Sequence, residues 1–150
     1  MILRAVIQRV SQARVSVDDK ICGEINTGYV VYLGVGHDDD EQAADKLLAK
    51  IIKLRIFEDE RGKTNLSLID VAGELLIISQ FTLYANCKRG NRPSFTEAGS
   101  PDRAEELYEY FIKRAHEQVS HVSRGVFGAM MEVSLTNQGP FTITLDTATL

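Results

Sequence analysis

The sequence predicts an α+β fold: a mostly antiparallel, barrel-like sheet with two long helices in a single domain covering residues 1–150. Three observations predict it. Apolar residues alternate with polar ones near both ends of the chain, at Val15 and Val17 and again between Met131 and Leu145, which is the period of half-buried strands. Two other segments, 44–52 and 104–112, change to helical spacing. The length of 150 residues, with 44% hydrophobic and 25% charged side chains, is one domain's worth of ordinary globular composition. A chain of this size buries roughly 68–70% of the surface its unfolded form exposes, enough for a core without disulfides or metals.

The elements follow in order. Leu3–Val10 is an apolar strand that turns polar at Gln8 and Arg9, and Val15 and Val17 continue it. Asp18-Asp19-Lys20 breaks the run, and residues 21–25 return as the second arm of a hairpin. Residues 29–35, Tyr-Val-Val-Tyr-Leu-Gly-Val, form a continuous apolar run, expected of a strand covered on both faces. Ala44, Leu47, Leu48, Ile51 and Ile52 share one helical stripe, preceded by aspartates 38–40 that supply an N-cap and favourable charge. Residues 74–83 read as a central strand after an Ala72-Gly73 turn. A second helix opens with Ser100 as N-cap and Pro101 at its first position, carries Ala104, Leu107, Tyr108, Phe111 and Ile112 on one stripe, and ends among Lys113, Arg114 and His116. Met131, Val133 and Leu135, then Phe141, Ile143 and Leu145, read as two half-buried strands joined through Asn137-Gln138-Gly139-Pro140.

Composition excludes several classes. The longest apolar runs fall far short of the roughly 20 residues of a membrane span. The opening residues lack a long apolar stretch before a small-residue cleavage site, so no secretory signal is expected. Cys22 and Cys87 stand without partner spacing, which fits a reducing cytoplasm and predicts neither a disulfide framework nor a metal site, and no cofactor is expected. The net charge of −4 gives no global pull toward a polyanion, although Lys88, Arg89 and Arg92 form a basic knot without an acid among them. Read alone, that knot is a solvated loop.

No Gly-x-Ser-x-Gly elbow, P-loop, Gly-x-Gly-x-x-Gly or His-Glu-x-x-His motif occurs. Two segments remain. Ser79-Gln80-Phe81-Thr82-Leu83, at the end of an apolar strand, could present hydroxyls, an amide and backbone N–H groups to a ligand; it could equally be a β-former beside a surface glutamine. Asn137-Gln138-Gly139-Pro140 could be an ordinary turn or hold a cis bond, because an X-Pro bond favours trans by only about 0.5–1 kcal/mol.

Together with other pieces, these segments carry a resemblance. Arg4-Ala5-Val6-Ile7-Gln8-Arg9-Val10, Leu54-Arg55-Ile56-Phe57-Glu58-Asp59, Asn65-Leu66-Ser67, Ser79 to Leu83, Arg92-Pro93-Ser94-Phe95, Phe127-Gly128-Ala129-Met130-Met131 and Asn137 to Thr142 occur in one order over essentially the whole chain. In this the chain resembles the D-aminoacyl-tRNA deacylases, the D-tyrosyl-tRNA deacylase family. It departs from the family pattern in extra residues before the usual start and in Phe141 where valine is commoner. A related class that acts on a mischarged L-amino acid differs at the strand-end motif, so the intact Ser-Gln-Phe-Thr-Leu favours the D-specific class.

The resemblance implies a cytoplasmic homodimer that hydrolyses the ester of D-aminoacyl-tRNA at its 3′ acceptor end, with no membrane or DNA partner. It implies that a Gly139-Pro140 loop with a cis peptide bond enters the other subunit's site and excludes L-amino acids by steric conflict. Glycyl-tRNA would then also be cleaved. Ser79, Gln80, Phe81 and Thr82 are the catalytic candidates, and Lys88, Arg89 and Arg92 become phosphate contacts. Arg9 either locks the loop or snorkels to water. Thr82 lacks an evident activating base in the sequence, so the chemistry is read as assisted by the ribose 2′-hydroxyl. The competing readings are a non-catalytic RNA-binding module, the sister deacylase with a trans Gly-Pro loop, and a small-molecule esterase.

Overall fold

In the computed structural model, which describes residues 3–150, Asp18 and Asp19 set the first turn. Both lie in the left-handed region, with φ of 50° and 64°, which aspartate tolerates better than most residues and which matches the twist of a tight hairpin. The turn joins β1 (Arg4–Val17) to β2 (Lys20–Ile25). Met1 and Ile2, the first two residues of the opening just read, lie outside the described residues.

The sheet is built around β1. On one side, its N-terminal half pairs antiparallel with β3 (Gly28–Gly34) and its C-terminal half with β2. On the other side, β8 (Glu132–Asp146) runs antiparallel along nearly its whole length. β3 then pairs in parallel with β6 (Glu74–Ser79), and β6 in parallel with β7 (Val122–Arg124). The order β2-β1-β3-β6-β7, with β8 on β1, curls until its two ends approach. At that seam a Cβ on Gly23 would stand 2.9 Å from the Arg124 carbonyl oxygen, so only glycine lets β2 pass β7 so closely. Ser123 Oγ donates to the Glu24 carbonyl at 3.0 Å across the same seam. The predicted barrel-like sheet with two helices is therefore present; it is mixed, because the crossovers through the helices make β3, β6 and β7 run in parallel.

Helices α1 (Glu41–Lys53) and α2 (Pro101–His116) cover one face of the sheet. Leu47, Leu48 and Ile51 of α1 and Leu107, Phe111 and Ala115 of α2 pack there with Ala5, Ile7, Tyr29, Val31, Leu33, Leu75 and Ile77. A smaller cluster of Val10, Ala13, Val15, Ile25, Val30, Leu76 and Ile78 fills the opposite face, so β3 and β6 are covered on both sides as their unbroken apolar runs require. Asp40 caps α1 by accepting from Ala43 N at 2.8 Å. Ser100 occupies the N-cap position of α2, but its side chain makes no capping bond.

Two further expectations need correction. The central strand ends at Ser79, and Phe81–Tyr84 form a 3-10 turn instead of extending it. The two C-terminal strands are a single strand, β8, with no reversal between them: β1 contributes Arg9 alone where β8 contributes residues 138–141, so the Gly-Pro segment bulges out of a continuous ladder. Short strands β4 (Phe57–Glu58) and β5 (Thr64–Leu66) pair with each other in a stretch that carries no periodic signal.

Candidate active site

The parallel strands β3, β6 and β7 end along one rim of the sheet, the side at which parallel sheets present ligands. Gln80 N donates to the Leu33 carbonyl at 2.8 Å, and the chain then folds into its 3-10 turn, with Leu83 N donating to Gln80 O at 3.3 Å and Ala85 N to Thr82 O at 3.0 Å. A helical start leaves its first N–H groups without internal acceptors. Here those are Phe81 and Thr82, and among the described residues no acceptor faces either one. Two adjacent free amides at an exposed rim are the means to hold a developing oxyanion.

The side chains complete this rim. Gln80 Nε2 donates to Thr82 Oγ1, and among the described residues no histidine or carboxylate is bonded to that hydroxyl. Thr82 is exposed and Ser79 half-buried at the strand end. Phe81 is 56% exposed, unusual for so large an apolar group, and Phe95 meets its ring edge-on at 5.0 Å. Behind the rim Tyr84 is buried, and burial followed by the nearby Asp39 carboxylate pushes its hydroxyl's pKa up.

Phe95 begins the connection to the basic knot. Asn86 and Ser94 exchange backbone bonds of 2.7 and 2.9 Å, which closes residues 87–93 into a projecting loop. Lys88, Arg89 and Arg92 are all exposed on it, and among the described residues none forms an ion pair. The loop's far stem is anchored to the exit of β3, where Gly99 N donates to Val35 O at 2.8 Å and His37 Nε2 lies 2.6 Å from Thr96 O. The three cations thus project on a loop whose stem residue Phe95 touches Phe81 of the turn.

The Gly-Pro bulge is held from behind by Arg9. Arg9 is 7% exposed, its Nε donates to the Gln138 carbonyl at 3.1 Å, and its Nη1 donates to the Ile56 carbonyl at 2.6 Å. Its guanidinium also stacks on the Phe141 ring at 4.6 Å. A side chain so placed does not snorkel. Phe141 thus gives the cation an aromatic face. Asn137 cinches the bulge, with Oδ1 accepting from Phe141 N at 3.0 Å and Nδ2 donating to Thr142 Oγ1 at 3.1 Å. The Gly139-Pro140 peptide is cis. Gly139 has φ of +140°, and a Cβ there would stand 2.9 Å from Phe141 N, so no other residue fits. Gly139 and Pro140 are themselves exposed.

The two parts do not meet within one chain. Ser79 lies level with Leu33 and Ala5, whereas the bulge lies level with Arg9 and Tyr29. That is four residues along the strands and three strands across, about 13 Å by about 14 Å. Sequence reasoning singled out Arg9, Gly139, Pro140 and the Ser79–Thr82 segment and assigned no role to Phe95 or Asn137, whose side chains contact the rim and the bulge. Only Asn137 carried a local signal, as the side chain most apt to bond its own turn.

The D-Tyr-tRNA(Tyr) deacylase family model matches residues 6–146. The D-aminoacyl-tRNA deacylase of Kosmotoga olearia is 57% identical over 144 residues, covering 96% of this chain and 97% of that protein. The protein of the same name from Aquifex aeolicus is 55% identical over 144 residues, with the same coverage. Among solved structures, one named c-Myc DNA Unwinding Element Binding Protein superposes with a TM-score of 0.89 at 37% identity, covering 95% of this chain and 97% of that one. A probable eukaryotic D-amino acid tRNA deacylase superposes with a TM-score of 0.82 over 97% of this chain and all of its own, but at 20% identity, which is a likeness of fold alone.

Proposed function

Because the chain belongs to the D-Tyr-tRNA(Tyr) deacylase family, we propose that two copies assemble so that the Gly139-Pro140 bulge of each reaches the Phe81 rim of the other. The activity itself is that of a D-aminoacyl-tRNA deacylase, a hydrolase that releases the amino acid from tRNA. One observation carries the proposal: bulge and rim are separated within a chain by the register of four strands, so a site using both takes two chains.

In that site the carbonyls of Gly139 and Pro140 accept hydrogen bonds from the substrate's α-ammonium group and thereby orient its Cα. A D side chain then points to open space, and an L side chain drives its Cβ into the bulge. Such a filter depends on stiffness, which Arg9 and Asn137 supply, because errors near 1 Å in placement decide the outcome. The terminal ribose 2′-hydroxyl assists a water molecule in attacking the ester carbonyl. The amides of Phe81 and Thr82 hold the oxyanion, and the tetrahedral intermediate collapses with the ribose oxygen leaving as an alcohol.

Glycine has no Cβ to reject. Purified protein should therefore hydrolyse D-tyrosyl-tRNA and glycyl-tRNA and spare L-tyrosyl-tRNA when the three are compared under matched conditions. Brisk cleavage of D-tyrosyl-tRNA with glycyl-tRNA left intact would exclude a filter based on L-rejection alone. Equal cleavage of the D and L forms would remove chiral selection altogether.

Lys88, Arg89 and Arg92 take the phosphates of the acceptor end. Replacing all three by alanine should weaken binding of different tRNAs alike and lower the slope of log K against log salt by roughly 2, at about 0.7 per single-strand phosphate contact. An unchanged slope in a filter-binding titration would return the knot to a solvated loop.

A further inference from the structure

We propose that Arg4, oriented by Asp146, is a positioning residue that sets where the Phe81–Tyr84 turn presents its free amides; this rests on the oxyanion reading above. A turn of four residues has too few internal bonds to hold its own position, so outside contacts must fix it. Arg4 supplies two of them. Its Nη1 donates to the Leu83 carbonyl at 3.1 Å, and its guanidinium lies over the Tyr84 ring at 4.7 Å. The seat beneath is Gly34, where a Cβ would stand 3.1 Å from each of Gln80 O, Leu83 Cβ and Tyr84 Cε2.

The contacts form a line across the sheet. Arg4 is the direct cross-strand partner of Gly34 on β3 and of Asp146 on β8. Asp146 Oδ2 lies 3.6 Å from Arg4 Nε, while its Oδ1 accepts from Ala148 N at 2.8 Å, so the carboxylate is itself held. Asp146, Arg4 and Gly34, the seat of the turn, therefore stand side by side on three adjacent strands. Only a planar guanidinium can stack on Tyr84, donate to Leu83 and face Asp146 together; a lysine ammonium satisfies one or two of these contacts.

The test compares Arg4→Lys, Asp146→Asn and the double variant with the wild type on D-tyrosyl-tRNA, well below their melting temperatures. Arg4→Lys should lower kcat about tenfold, since misplacement of catalytic groups by a fraction of an ångström acts on the chemical step. KM should stay within about twofold of wild type. Asp146→Asn keeps its cap on Ala148 and should lose less, and the double variant should be no worse than Arg4→Lys alone, as for residues acting in series. Full kcat with only a lower melting temperature would make Arg4 merely structural, and a loss confined to KM would make it a tRNA contact. Either result overturns the proposal. Amide hydrogen exchange provides a readout independent of turnover: in Arg4→Lys, the hydrogen-bonded amides of Leu83 and Ala85 should exchange faster while those of β3 and β6 do not. Unchanged exchange overturns the proposal even if the wild type proves inactive, whereas an inactive wild type by itself refutes only the deacylase reading.

Discussion

D-Tyrosyl-tRNA ending in 2′-deoxyadenosine should be hydrolysed about a hundredfold more slowly than the natural substrate, the lower end of what a positioned proton-transfer group contributes. The expectation follows from what surrounds Thr82. Its Oγ1 accepts a hydrogen bond from Gln80 Nε2, and among the described residues no histidine, aspartate or glutamate is bonded to it to take its proton. An unactivated threonine is a poor nucleophile, and in the mechanism proposed above the group that assists attack comes with the substrate. Thr82→Ala should accordingly retain most of its activity, because the oxyanion donor proposed at that position is the backbone N–H, which alanine keeps. A Thr82→Ala variant that folds, binds tRNA and yet shows no turnover would restore Thr82 as the nucleophile. A deoxy substrate cleaved at the natural rate would remove the ribose from the chemistry. Single-turnover assays with both substrates and both proteins separate the four cases.

Arg9→Ala should lower the D-over-L rate ratio at least about tenfold, in line with the cost of loosening a positioned group. It should also destabilise the fold by about 1–3 kcal/mol, the penalty for leaving a buried carbonyl without its donor. That carbonyl is Ile56 O, which faces Nη1 at 2.6 Å; Gln138 is exposed, so water replaces Nε there. The stability loss is read by denaturant unfolding and the selectivity loss by paired D- and L-tyrosyl-tRNA deacylation. The two are separable in principle, because the selectivity effect acts through the 3.1 Å bond to Gln138 O beside Gly139. Arg9→Lys should not restore selectivity, since one ammonium cannot serve two carbonyls and stack on Phe141. A destabilised variant with an unchanged D/L ratio would reduce Arg9 to a structural arginine.

How much was legible in the sequence can be judged element by element. The stripe Ala44, Leu47, Leu48, Ile51, Ile52 and the Asp40 cap located α1 because helix period and capping are set within a few residues. The alternation from Met131 to Leu145 identified strand residues for the same reason. It did not reveal that they form one strand, because a bulge opposite a single residue of β1 and a reversing turn have the same local sequence, and only pairing distinguishes them. Leu83 looked like strand because it continues an apolar run. The 3-10 turn follows from Gly34, which gives the chain room to fold back. Arg4 belongs to the opening family segment, but nothing local showed its contacts, since its partners Leu83 and Asp146 are 79 and 142 positions away, the latter by the difference of their numbers.

By itself, then, the amino-acid order determined which stretches are helix and strand, which face of each is apolar, and the ordered set of segments that marks the family. These depend on side-chain period and on contacts a few residues apart. Tertiary structure alone decided that the Gly-Pro segment bulges over Arg9, that the turn after Ser79 leaves two amides free, and that rim and bulge of one chain stand apart. The physical reason is register: a one-residue change in how distant strands align moves every cross-strand partner, and that alignment is settled by the packing of the whole sheet.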